Sequence, residues 1–140
     1  MSTLNIFIKE IRHEDQRVST LGDWWWGDAD HNLDQNGDLY IIISKMNDWR
    51  YTFPILFHEL IEIAWCLVHG VTSVVADAFD DLWEEEIRQG LHKPEEEAGF
   101  DKRCPYRGGH IWGARFERLV CWILGINWKQ YCRDCEEVFT

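Results

Sequence analysis

An α+β domain, a small antiparallel sheet of N-terminal strands packed on about three α-helices, is the fold class this sequence predicts. Three observations carry it. Period-two and β-branched apolar runs are confined to the first third of the chain. Three- and four-residue apolar spacings dominate the rest. The 140 residues, 46 % of them hydrophobic, suit one domain with one core. The expected organisation is a single domain over 1–140, with strands within about 4–43 and a helical part over about 52–138. Strands first and helices afterwards is the α+β order.

The elements follow in turn. Leu4-Asn-Ile6-Phe-Ile8 alternates with period two and reads as a strand. Gly22 to Asp38 is rich in Gly, Asp, Asn and Trp, which reads as turns around a short aromatic strand at Trp24–Trp26. Leu39-Tyr-Ile-Ile-Ile43 is β-branched and bounded by turn residues, the clearest strand of the chain. The first helix is expected from about Thr52 to His69, with Thr52 as cap, Pro54 in the first turn and Gly70 as stop. The second is expected from about Thr72 to Gln89, with Val75, Phe79, Leu82 and Trp83 facing inward and Gly90 ending it. A charged loop with Pro94 and Pro105 follows. The third helix is expected from near Gly109 to Gly125, with Ile111, Ala114, Leu119, Trp122 and Ile123 in its apolar pattern, then a short helical piece over Asn127 to Val138.

Composition excludes several classes. Nine Trp, seven Phe and four Tyr exclude disorder as the main state. A net charge of −11 and a pI of about 4.8 disfavour nucleic-acid binding and a basic membrane-surface helix. The N-terminal stretch lacks a signal-peptide core, and the longest wholly apolar run, Ile63 to Val68, is too short to span a bilayer. The expectation is a soluble cytoplasmic protein with a protein or peptide partner and no nucleic-acid or membrane partner. Five irregularly spaced cysteines are expected reduced.

The chemistry concentrates in His58-Glu59-Leu60-Ile61-Glu62. His58 and Glu62, one helical turn apart, lie on one face with Cβ atoms roughly 5–6 Å apart, a spacing at which two side chains share one metal ion. Glu59 lies beside them, placed to act as a catalytic base on a water. This is the logic of the H-E-x-x-H helix of zinc hydrolases, with carboxylate replacing the second imidazole. The helix is otherwise apolar, so burying this set is costly unless a metal ion, an Arg or Lys from elsewhere, or firm hydrogen bonding such as Glu62 accepting from His58 compensates it. On the third helix His110 and Glu117 are two turns apart, Ala114 leaves space between them, and Gly108-Gly109 allows close backbone approach. His110 is expected to complete a metal site with His58 and Glu62, with Glu117 a fourth ligand or the group orienting His110. Zinc is the expected ion, another divalent cation the alternative. Asp77 and Asp80, with Glu59 and Glu62, form E-x-x-E…D-x-x-D, a set that can hold Mg²⁺. Asp80 borders the apolar face and is the further metal-ligand candidate, whereas Asp77 reads as solvated.

These residues carry a resemblance. Phe57-His-Glu-Leu-Ile-Glu-Ile-Ala-Trp65 is similar to the active-site helix of SprT-like proteins, zincin-type metallopeptidases in which a third His follows a Gly on a later helix. The whole pattern resembles small uncharacterised phage and prophage proteins. It comprises His-Glu-Leu-x-Glu, Asp77-Ala-Phe-Asp80, His110-x-x-x-Ala-x-x-Glu117 and Leu124-Gly-Ile-x-Trp128, within roughly residues 37 to 131. The resemblance implies a zincin-like fold and a metal-dependent hydrolase. Position 62 departs from the peptidase pattern, holding Glu where the family has His.

Two other readings compete. The E-x-x-E…D-x-x-D spacing resembles the all-α nucleoside-triphosphate pyrophosphohydrolases, which implies Mg²⁺ and a phosphate substrate. A metal-stabilised or metal-free interaction module, with tryptophans and acidic surface facing a protein partner, is the non-catalytic alternative. Lesser signals have plainer readings. Cys66 and Cys121 read as core, Cys132-x-x-Cys135 as an isolated pair without a second half-site, and 32–38 as a polar turn rather than a calcium loop, since its twelfth position is Ile43. Glu84–Glu86 and Glu95–Glu97 read as solvated surface. Trp24–Trp26 either stack on a ligand or divide between core and partner surface.

Overall fold

The computed structural model describes residues 3–27 and 37–140. The turn sequence at 32–36 therefore lies outside the described residues. The elements are β1 (Leu4–Ile11), β2 (Gly22–Trp26), β3 (Gly37–Ser44), α1 (Thr52–His69), α2 (Ser73–Arg88), α3 (Arg107–Ile123) and α4 (Trp128–Glu137). The α+β class stands, with four helices and a three-stranded sheet of order β1-β3-β2 among the described residues.

The sheet is mixed, not antiparallel. β2 pairs antiparallel with β3, but β1 pairs parallel with it, Ile6 opposite Leu39 and Ile8 opposite Ile41. The cause lies between β1 and β2. That segment passes over the end of β3, and Ser44 pins it there. Ser44 N–H donates to the Leu21 carbonyl at 2.8 Å, its hydroxyl donates to the Thr20 carbonyl and accepts from Gln16, and Lys45 N–H donates to the Ile11 carbonyl. Crossing the central strand puts β1 and β2 on opposite edges of β3. Periodicity reports that a strand exists, and the connection decides its direction.

The register puts Trp24, Trp26, Leu39, Ile41 and Ile43 on one face, all buried. They pack on Ile55, Ile63 and Cys66 of α1 and on Ala76, Phe79 and Trp83 of α2. On the other face Phe7, Tyr40 and Trp25 stack in a row across the three strands, with the Arg17 guanidinium 4.6 Å from the Trp25 ring. The tryptophan run thus divides by strand alternation.

Two apolar stripes differ from expectation. On α2 Val75 and Leu82 are half-exposed, and Ala76 joins Phe79 and Trp83 in the core. On α3 Leu119, Trp122 and Ile123 face outward, Trp122 at 76 % exposure, so Trp122 does not wall the core. α3 instead turns glycine toward α1. A Cβ on Gly109 would lie 3.1 Å from the Glu62 carbonyl oxygen, and one on Gly113 would lie 2.9 Å from that of His58. The absence of side chains at these two positions, one turn apart, sets the spacing between the helices.

The expected stop of α1 holds, and two helix starts carry side-chain caps. Gly70 ends α1 at φ 69, Thr72 accepts from Val75 N–H, and Asn127 accepts from Gln130 N–H. Thr52 is not the cap of α1. A 3-10 turn, Trp49–Tyr51, runs straight into the helix, and Thr52 hydrogen-bonds the Glu10 carboxylate. Trp49–His69 is, by length and composition alone, long and apolar enough to cross a membrane, contrary to the shorter run read from sequence. Its middle nevertheless carries Glu59 and Glu62, both buried within the domain, as befits a core helix.

Candidate metal centre

His58 and Glu62 project from consecutive turns of α1, and the close approach at Gly109 and Gly113 brings His110 of α3 to meet them. The three form a group able to hold a metal ion, and among the described residues no other set of His, Cys, Asp or Glu converges in this way. His58 Nε2 lies 3.1 Å from His110 Nδ1 and 3.5 Å from Glu62 Oε2, and His110 Nδ1 lies 3.1 Å from the same oxygen. Ligands about 2.0–2.1 Å from a tetrahedral ion stand about 3.3 Å apart, so this triangle has the right edge length.

The outward nitrogens decide what the inward ones offer. His58 Nδ1 lies 2.7 Å from Glu117 Oε1, and Tyr131 donates its hydroxyl to the other oxygen of that carboxylate at 2.5 Å. His110 Nε2 lies 3.1 Å from Glu97 Oε2. A carboxylate only accepts, so each imidazole places an N–H there, and loss of its other proton would turn a lone pair inward. Glu62 is oriented likewise, since Trp24 Nε1–H donates to its Oε1 at 3.0 Å and leaves Oε2 facing the two nitrogens. Gly99 lies directly under the His110 ring, where a Cβ would approach within 2.2 Å, and Phe100 meets the same ring edge-on at 4.6 Å.

The electrostatics favour positive charge at the centre. Burial opposes charging His58, yet hydrogen bonds to Glu117 and Glu62 hold its pKa well above the ordinary imidazole value. Burial likewise opposes charging His110, but contacts with Glu62 and Glu97 raise it to about 9. Burial alone would raise Glu62, yet both imidazoles bring it down to about 2. Burial, aided by the Glu62 charge, pushes Glu59 up to about 8. Among the described residues no Lys or Arg forms an ion pair with Glu59, Glu62, Glu97 or Glu117, so the basic compensator that the sequence allows is not one of them.

The remaining candidates divide. Glu117 holds His58 and stands behind it, rather than orienting His110. Glu59 is buried and points to β2, where a Cβ on Gly22 would come within 2.5 Å of its Oε1, and it makes no hydrogen bond to any described residue. Asp80 accepts from the Tyr106 hydroxyl, and burial pushes its carboxyl up to about 7. Asp77 pairs with Arg17, which also holds the buried Asp23. Thus the four carboxylates of E-x-x-E…D-x-x-D do not gather into one cation site among the described residues. All five cysteines are free, and Cys132 and Cys135 belong to no converging ligand set.

Sequence reasoning missed Glu97, Trp24, Tyr131 and Gly99. Glu97 sits in an acidic triplet with no local mark of its role. Gly109-x-x-x-Gly113, by contrast, is a legible signal of close helix contact. Comparison with known proteins returns no match, whether to family models, curated proteins or solved structures.

Proposed function

We propose that this chain is a zinc-binding domain of zincin-like type, with His58, Glu62 and His110 as ligands and hydrolysis of an amide or related carbonyl as its reaction. One observation supports this above the rest. Both imidazoles give their outer nitrogen to a carboxylate, so their inner nitrogens and one carboxylate oxygen converge from two helices, as lone pairs once the inner protons are lost. Imidazole held by carboxylate behind the metal is the usual arrangement around protein-bound zinc. The resemblance of the α1 segment to SprT-like active-site helices points the same way.

A divalent ion held there would supply Lewis acidity and acidify water. The protein's own groups divide the remaining work. Glu117 and Glu97 fix the two rings, Trp24 fixes Glu62, and Gly109 and Gly113 hold the helices at ligand distance. Glu59 is the proton acceptor of the reading; it is buried beside His58 in sequence and must first ionise, since burial pushes its carboxyl up to about 8. Asp77 and Asp80 are already engaged by Arg17 and Tyr106, which weighs against the Mg²⁺-dependent pyrophosphohydrolase alternative.

Metal analysis of the purified chain and of His58→Ala tests the reading. Stoichiometric zinc in the first and none in the second is the expected result. No zinc in either, with stability indifferent to chelator, overturns it. If zinc is bound, an unchanged slow rate of amide or ester hydrolysis in Glu59→Gln removes the catalytic part and leaves a metal-stabilised module.

A further inference from the structure

The α1–α3 pair has a second side, away from the metal centre. There Phe53, Phe57, Ile61, Ala64 and Val68 line the outer face of α1, and Val68 is 82 % exposed. Trp112, Phe116, Leu119 and Ile123 make the adjoining stripe on α3, at 37 to 64 % exposure. Between the stripes lies an open apolar groove of about 330 Å³, walled by Ile61, Trp65, Val68, Trp112 and Phe116. A helix apolar on every side belongs in a core, and α1 has a core on one side only.

We infer that this face is the interface of a two-fold symmetric dimer, the α3 stripe of each copy seated in the groove of the other. Two observations favour a second copy. Enclosing the exposed parts of these side chains would bury roughly 700 Å² per copy before any rim is counted, close to the ~800 Å² per partner of a standard interface. Charge gives the second. The chain carries −11, so two copies repel on average and favour meeting on a face poor in acidic groups. The outer stripe of α1 carries no acidic residue, with His69 its one titratable group at the groove, and Arg115 stacks 4.5 Å over Trp112 beside the α3 stripe. This is the face on which like-charged copies can approach. The stripe at 112, 116, 119 and 123 has the four-three-four spacing with which helices pack on helices. Two copies would then join two helix pairs into one four-helix layer.

Sedimentation of the full chain across the micromolar range tests this, with Val68→Glu, Phe116→Glu and Leu91→Glu alongside. Leu91 is 62 % exposed and off this face. The expected result is a dimer for the unaltered chain and for Leu91→Glu. The other two should be monomers, their dissociation constants raised about 100-fold by carboxylates that must be buried unpaired. Far-UV circular dichroism should be unchanged, which separates lost association from lost folding. Val68→Glu alters an outward side chain and serves if Phe116→Glu does not fold. A monomeric unaltered chain, or a dimer that survives both substitutions, overturns the inference. So does a monomer that floats with phosphatidylcholine vesicles, which would assign the face to a bilayer.

Discussion

Helices α1 and α3 meet along a seam whose two sides are finished in opposite ways. On one side His58, Glu62, His110 and Glu117 lie in a protein interior, each imidazole and carboxylate with a partner. On the other Ile61, Trp65, Val68, Trp112 and Phe116 line an open groove. Polar groups inside and large apolar groups outside reverse the usual rule, and each reversal needs its own explanation. The inner set is tolerable because each imidazole and carboxylate there is held by a hydrogen bond from a neighbouring element. The outer set costs nothing locally but leaves apolar area that a second surface can remove from water.

The largest effects are expected on the inner side of the seam. His110→Ala should abolish zinc binding, and with it the stabilisation a bound ion gives, about 2.7 kcal/mol at zinc 100-fold above its dissociation constant. Thermal unfolding with zinc and with chelator should then coincide for the variant and differ for the unaltered chain. Glu117→Gln should retain the site but weaken zinc binding about 10- to 100-fold, because His58 loses the charged acceptor behind it. Competition with a chromophoric chelator reads that change, and an affinity equal to that of the unaltered chain would remove Glu117 from the centre. Gly113→Ala inserts a methyl against the His58 carbonyl and ring and should cost about 1–3 kcal/mol by overpacking, read from urea unfolding. That substitution should spread the inner side while leaving the outer stripes in place.

The smallest expected effect concerns a cluster outside the seam. Hydrogen bonds from Arg103 and His92 hold Glu86 down at about 2, and those to Glu86 and Glu96 hold His92 above its usual value. A carboxylate with a depressed pKa contributes stability above its ordinary value of 4.5, lost as pH falls toward 2. A histidine with a raised pKa contributes below its ordinary 6.5, lost as pH rises through the folded value. The stability difference between the unaltered chain and Glu86→Gln should therefore be greatest between about 4.5 and 6.5 and shrink on both sides. A difference that is flat with pH would show the cluster to be decorative.

Much of this was legible in sequence where the signal is local. The His58–Glu62 spacing places two side chains on one face by helix geometry alone, and Gly70, Thr72 and Asn127 mark helix ends for stereochemical reasons. What escaped depends on how distant segments meet. Glu97 reads as surface because its triplet neighbours are surface, and only the placing of Gly99 beneath His110 brings it to the ring. The direction of β1 depends on where residues 12–21 cross β3, and no property of Leu4–Ile8 encodes it. Trp122 and Leu119 fit an inward helical stripe, yet the face of α3 that touches α1 is the one with glycines. Close approach of backbones selected that face over the more apolar one.

The parallel pairing of β1 has a consequence in time. Each of its contacts with β3 joins residues 33 apart in sequence, whereas β2 and β3 are neighbours along the chain. Closing so large a loop is entropically costly, so β1 should dock after the hairpin has formed. Its side chains are mostly exposed, Leu4, Ile6, Phe7 and Ile8 at 46 to 50 %, so little apolar burial holds it once docked. The strand should therefore be among the first parts of the sheet to detach. Its amides should exchange with deuterium while those of β3 facing β2 remain protected.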